Sequence, residues 1–184
     1  GPKDITELSL ELAGIMIYLG KRADSIAIGK EMAEKAVSDG SALKIFERFI
    51  KAQNGNAMVI KDESLFSQPT FVESIISERG GFVNAIEANQ IGLASQHAGA
   101  GRRIMGEPID NSAGILLYKK LGDPVAEGET LATIQGNNKD AISLAKQVVH
   151  KAFYIEKEKP TNSKLIYTVV GLDENTMTHY ERSV

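Results

Sequence analysis

The 184-residue chain contains no cysteine. That absence excludes a disulfide framework, a thiolate zinc site, an iron–sulfur cluster and a cysteine nucleophile in one step. It also fits a reducing compartment, so a cytoplasmic location is expected. A basic excess is missing too: 21 Lys and Arg stand against 24 Asp and Glu, a net charge of -3. Nucleic-acid binders carry their electrostatic footprint as surplus Lys and Arg, so no nucleic-acid partner is expected. No apolar run approaches the ~18 residues that a bilayer-spanning helix needs, and no membrane partner is expected. The opening Gly1-Pro2-Lys3-Asp4 has neither a signal-peptide pattern nor an initiator Met. A start without Met predicts a processed chain or a portion of a longer one. Repeats and low-complexity tracts are absent, as is a Gly-x-Ser-x-Gly nucleophile elbow. His97, His150 and His179 are scattered without metal-ligand spacing and read as ordinary polar positions.

With 42% hydrophobic residues, the chain can bury a core. Residues 4–20 carry Leu8, Leu12, Ile15, Met16 and Leu19 at helical spacing, with Asp4 and Glu7 at capping-box distance and Gly20 as the stop. A second helix is predicted after the cap Ser25, with Ile28, Met32, Ala36 and Val37 on its apolar face and its end at Asp39-Gly40. A third starts at Ser41, carries Leu43, Phe46, Phe49 and Ile50, and ends at Gln53-Asn54-Gly55. These helices hold more apolar surface than they can bury among themselves. Beyond Asn56 the texture becomes mixed. Strands are expected at 57–60, 70–77, 82–86, 111–119 and 131–134, with closing strands at 152–156 and 165–170. A helix at 88–96 should bury Ile91, Leu93 and Ala94, and one at 139–151 should bury Ala141, Leu144, Ala145 and Val148. The fold class is α+β: an N-terminal helical array followed by a mixed α/β C-terminal domain with a barrel-sandwich-like hairpin. The expected domains are a helical segment at 1–56, a linker at 57–69, a C-terminal α+β domain at 70–172 and a flexible tail at 173–184.

Two segments carry suggestive chemistry. Gly99-Ala100-Gly101-Arg102-Arg103, followed by Asp110, is a Gly-rich turn with two guanidinium groups. Backbone N–H groups and Arg forks of this kind suit phosphate. It lacks the third Gly of a dinucleotide-binding fingerprint and the Gly-Lys-Ser/Thr of a P-loop. The competing reading is a tight turn with one Arg tied to Asp110 or to a carbonyl. The second segment, Gly122-Asp123-Pro124-Val125-Ala126-Glu127-Gly128-Glu129-Thr130-Leu131, has a hairpin signature. Asp123 and Gly128 shape its turns, and Val125 and Leu131 face a core. Biotinyl and lipoyl carrier domains have a similar segment, which makes a stand-alone carrier or binding module the alternative reading, with Lys139 as the modified residue. Asn137-Asn138-Lys139-Asp140 lacks the flanking Met residues of a biotin site and opens a helix.

Order and spacing make one resemblance specific. The opening Gly1-Pro2-Lys3-Asp4-Ile5-Thr6-Glu7-Leu8 and the end Ala52-Gln53-Asn54-Gly55-Asn56 resemble segments of the pyrimidine-nucleoside phosphorylase and thymidine phosphorylase family. So does the run Gly99-Ala100-Gly101-Arg102, Ile109-Asp110, Ala113-Gly114-Ile115 and Lys119-Lys120-Leu121-Gly122-Asp123. The likeness extends over roughly residues 1–170 and departs at Asn54 and Asn56, where the family has Gly and Asp. It implies a pentosyltransferase that cleaves pyrimidine nucleosides with phosphate as co-substrate, giving free base and pentose 1-phosphate, without a cofactor. The family's Lys-x-Ser-x-Gly-Gly phosphate loop and its base-contacting Arg and Ser-x-x-x-Lys segment are not found in this chain, so no catalytic residue carries over. The resemblance therefore implies a C-terminal portion acting as scaffold, whose partner is the N-terminal half of the parent enzyme. Without that half, self-association through residues 4–54 is expected. Gly99, Gly101, Arg102, Arg103 and Asp110 are the candidates for a turn that closes on the cleft.

Overall fold

The structure, a computed structural model, describes residues 1–161, 165–168 and 170. Two compact units are present: one is Gly1–Ile60 together with the described residues 165–168 and 170, and the other begins at Lys61.

The first unit holds helices α1 (Lys3–Leu19), α2 (Ile26–Ser38) and α3 (Ser41–Ala52). Helix α1 starts two residues earlier than a cap at Asp4 would allow. Pro2 is its N-cap residue, and the Pro2 carbonyl accepts from the Thr6 amide at 3.1 Å and the Thr6 hydroxyl at 2.9 Å. Asp4 lies in the first turn, where its charge faces the positive end of the helix dipole. Ser25 caps α2 as expected, its Oγ accepting from the Ile28 amide at 3.2 Å. Gly40 (φ 75°) reverses the chain between α2 and α3, and Asn54 (φ 60°) ends α3. Helix α1 stops with Lys21, not Gly20, in the left-handed region (φ 56°).

Helices α1 and α2 cross through small residues. Gly14, Gly29 and Ala33 are buried there, whereas Ile28, Met32 and Val37 of the expected α2 face lie outward. The reason is distance: a Cβ on Gly14 would sit 2.8 Å from the Lys30 amide nitrogen, so only glycine permits this approach. Helix α3 buries none of its residues fully; the Phe46 and Phe49 rings stack with centroids 6.5 Å apart. Residues Ala57–Ile60 form a 3-10 turn and not the expected strand. The Asn56 side chain accepts from the Met58 amide at 3.0 Å and its carbonyl from Val59 at 3.3 Å, which curls the apolar run before any strand can claim it.

The second unit contains strands β1 (Phe71–Ile76), β2 (Gly81–Ile86), β3 (Gly114–Leu117), β4 (Pro124–Val125), β5 (Thr130–Gly136) and β6 (Phe153–Glu156), with helices α4 (Ala88–Ser95) and α5 (Lys139–Ala152). The strands make two antiparallel sheets, ordered β1-β5-β3 and β4-β2-β6. Ile75, Val83, Leu131, Ile134, Ile142 and Val149 form the heart of one buried cluster. This is the α+β architecture expected. The 122–128 reversal has its turns at Gly122 (φ 83°) and Gly128 (φ 81°), with Val125 and Leu131 buried. Its two arms pair in different sheets, β4 with β2 and β5 with β1 and β3, so the turn joins the layers.

Several face assignments shift. Helix α5 buries Ile142, Ala145, Val149 and Ala152, leaving Leu144 exposed, because its apolar arc is wide enough for either phase. Leu93 of α4 and Leu116 of β3 are also exposed. Residues 165–168 and 170 belong to no strand. Residue 169, the tail from Asp173 and His179 lie outside the described residues. No helix among the described residues is long and apolar enough to cross a membrane.

Candidate functional site

Helix α4 runs on into a wider turn, Gln96–Ala100, which breaks at Gly99 (φ 112°). A side chain is strained at that φ, and a Cβ there would also press within 3.2 Å of the Asp110 Cβ. The Gly99 carbonyl accepts from the Asp110 amide at 2.9 Å, closing the neck of the 99–110 loop. Gly101 is extended and lies against the Gln96 side chain, whose Nε2 donates to the Arg102 carbonyl at 2.5 Å.

Both arginines converge on Glu107. Arg102 Nε donates to the Glu107 carbonyl at 3.0 Å. Arg103 donates its amide to Glu107 Oε2 at 2.8 Å, and its Nε and Nη2 to Oε1 at 3.3 and 2.7 Å. The guanidinium and amide of Arg103, with help from the Ile104 amide, pull the Glu107 carboxyl down to about 2. Gly106 (φ 85°) makes the local turn, and the Glu107 amide returns to the Ile104 carbonyl at 3.3 Å. Ile104 and Met105 stand exposed at its tip.

Asp110 serves a different network. Its Oδ1 accepts from the Ser112 amide at 2.9 Å and hydroxyl at 2.6 Å, and Oδ2 from Asn137 Nδ2 at 3.0 Å. These bonds, the Ser112 hydroxyl first, hold its carboxyl below the usual range. Asn137 Oδ1 in turn accepts from the Thr70 amide at 2.9 Å and hydroxyl at 2.6 Å. The loop neck is thereby fastened to the start of β1 and the end of β5.

The structure thus brings Gly99, Gly101, Arg102, Arg103 and Asp110 into one loop, with one Arg on a carbonyl as the tight-turn reading has it. The carboxylate of the arginine pair is Glu107 and not Asp110. Sequence reasoning missed Gln96, Glu107 and Asn137. The i,i+4 spacing of Arg103 and Glu107 and the Asp-x-Ser pattern at 110–112 were the available signals.

Elsewhere, Lys139 is the first residue of α5, capped by Asn138, whose Oδ1 accepts from Ala141 at 3.0 Å. A helix start is not the exposed hairpin tip that a carrier lysine occupies. His150 Nε2 lies 3.4 Å from Glu78 Oε1, at an open cavity of about 290 Å³ whose walls include Leu131, Phe153 and Arg79. That cavity shares no residue with the 99–110 loop. Among the described residues no group of three or more His, Asp or Glu could hold a metal.

Residues 82–156, from within β2 to the end of β6, match the family model "Pyrimidine nucleoside phosphorylase C-terminal domain". The whole loop lies inside that match. The pyrimidine-nucleoside phosphorylase of Geobacillus stearothermophilus is 37% identical over 171 residues, covering 93% of this chain and 39% of that protein. Those of Staphylococcus haemolyticus and Staphylococcus aureus are each 37% identical over 148 residues, covering 80% of this chain and 34% of each relative. The chain therefore spans about two fifths or less of the length of these curated relatives. Together these matches identify the chain with the C-terminal portion of the pyrimidine-nucleoside phosphorylase family.

Proposed function

We propose that the chain is the scaffold portion of a cytoplasmic pyrimidine-nucleoside phosphorylase, working with a catalytic portion that lies outside these 184 residues. In the parent reaction, phosphate oxygen bonds to the anomeric carbon of the pentose while the bond to the pyrimidine nitrogen breaks. The products are free base and pentose 1-phosphate, and phosphate is a co-substrate. The observation that carries the reading is 37% identity over 93% of the chain to a named pyrimidine-nucleoside phosphorylase. The helices of the first unit support it. Leu12, Met16 and Leu19 of α1 and Phe46 and Phe49 of α3 are all exposed. The relative is more than twice as long as its match here, and the catalytic portion is the occupant we assign to that apolar surface. The loop with Gly99, Gly101, Arg102, Arg103 and Asp110 is assigned to closing on the cleft, because positioned cations suit a reaction whose attacking group is an anion.

A chimaera tests this. The matching portion of the Geobacillus stearothermophilus enzyme is replaced by this chain, and free base released from uridine or thymidine is assayed with phosphate. Activity in the chimaera and none in the 184-residue chain alone is the expected result. A folded but inactive chimaera, or robust turnover by the chain alone, overturns the reading.

A further inference from the structure

We infer that the 99–110 loop is an anion site for a phosphoryl group, with the chain's own Glu107 as its resting occupant. Three features carry this. First, two neighbouring Arg side chains reach the same residue: Arg103 grips the Glu107 carboxylate through its amide, Nε and Nη2, and Arg102 Nε holds the Glu107 carbonyl. An amide and a guanidinium fork closing on two carboxylate oxygens is the donor pattern by which proteins hold phosphate. Second, the remaining donors of Arg102 are uncommitted: beyond Nε, its guanidinium makes no hydrogen bond or ion pair among the described residues. A carboxylate has two oxygens and one charge, whereas a phosphoryl group brings three oxygens and up to two charges, enough for both forks. Third, Glu107 can leave. Apart from the two arginines and the Ile104 amide, it is held by the turn at Gly106 and a 3.3 Å bond from its own amide to the Ile104 carbonyl, next to the exposed Ile104 and Met105. The other nearby carboxylate, Asp110, is directed at Ser112 and Asn137. The exchange is non-covalent: the phosphoryl oxygens replace the Glu107 oxygens on Arg103, and Glu107 turns to water. This site lies wholly within the second unit, and it stands whether or not the loop closes on a cleft.

The test uses the full 184-residue chain at constant ionic strength. Inorganic phosphate and methyl phosphate are titrated in separate arms while nitrogen-15 NMR follows the Arg103 and Ile104 amides and the Arg Nε–H groups. Glu107→Gln removes the competing charge and keeps the residue's size. It should saturate at roughly tenfold lower phosphate than the unaltered chain, the scale of a charge-assisted contact. Arg102→Gln, with Glu107 in place, should abolish the response. A stronger response to methyl phosphate assigns the site to phosphate esters, and a stronger one to inorganic phosphate assigns it to free phosphate. Identical titrations of the Glu107→Gln and unaltered chains, or a response indifferent to Arg102→Gln, overturns the inference.

Discussion

The backbones of Gly14 on α1 and Gly29 on α2 touch: a methyl group built on Gly29 would land on the Gly14 carbonyl oxygen. The crossing is therefore set by two absent side chains. In a free-standing helix, Gly to Ala gains about 1 kcal/mol in propensity. Overpacking a rigid contact costs about 1–3 kcal/mol, and here the obstacle is backbone that cannot rotate away. The second effect wins. Gly29→Ala should destabilise the first unit by about 1–2 kcal/mol, read as faster hydrogen exchange in the α1 and α2 amides. Slower exchange would mean that the helices can separate without loss.

Glu11, three residues before Gly14 on α1, forms an ion pair at 2.6 Å with Lys30, which directly follows Gly29, and the Glu11 side chain is only 12% exposed. The hydrogen bond that Lys30 Nζ donates to the Glu11 carboxylate raises the Lys30 pKa above its ordinary 10.5. A raised lysine pKa contributes stability that is complete below about 10.5 and lost as pH climbs through the folded value. Exchange protection of α1 and α2 should thus fall above that pH and hold below it. Lys30→Met leaves a poorly hydrated carboxylate alone and should cost about 1–3 kcal/mol. Adding Glu11→Leu should restore most of the loss, because replacing both partners removes the stranded charge. If the double variant is no better than the single one, the penalty does not come from the stranded carboxylate.

The elements that announced themselves in the sequence are those fixed by one local bond or one backbone angle. Ser25, Gly40, Asn54 and Gly128 each do at their place what such residues do anywhere. What failed were choices made by the tertiary partner. On α2 the large Ile28 and Met32 suggested the inner face, but close approach to α1 selected Gly29 and Ala33. On α5 two helical stripes fit the periodicity, and the sheet took the one with Ile142 and Val149. The loop showed the same division. Its glycines and arginines were legible, whereas Asn137, which joins residues far apart in the chain, could only be found in three dimensions.

Asn137 yields its own prediction. It accepts two bonds from Thr70 and donates to Asp110 Oδ2 and to Ser112 Oγ, the last at 2.9 Å. Asn137→Ala should lower the stability of the second unit by about 1–2 kcal/mol, the scale of one or two net hydrogen bonds. The Thr70 and Asp110 amides should lose protection before the core strands do. The Asp110 carboxyl is depressed, so its contribution is present above its ordinary value of 3.8 and disappears as pH falls below it. Acid should therefore mimic the substitution at the loop neck. Uniform loss of protection throughout the unit would instead make Asn137 part of the global fold.

Phe46 and Phe49 lead to the last expectation. They are 52% and 59% exposed, stacked on α3, with Leu43 and Ile45 also exposed beside them. Helix α1 adds Leu12, Met16 and Leu19. Fully burying one such side chain is worth about 1.5–3 kcal/mol, so several half-exposed ones leave a substantial driving force unspent. Their assigned cover is the catalytic portion of the enzyme. In the 184-residue chain alone, that surface should bind a second copy through the helices. Sedimentation should show an average mass that rises with concentration. Phe46→Ser with Phe49→Ser should abolish the rise without touching the Gly14–Gly29 crossing, so the α1 and α2 amides should keep their protection. In the chimaera, the same pair of substitutions should cost stability, since the faces are then covered. A chain that stays monomeric at every concentration, with α3 as well protected as β5, would show that the helical surface needs no partner.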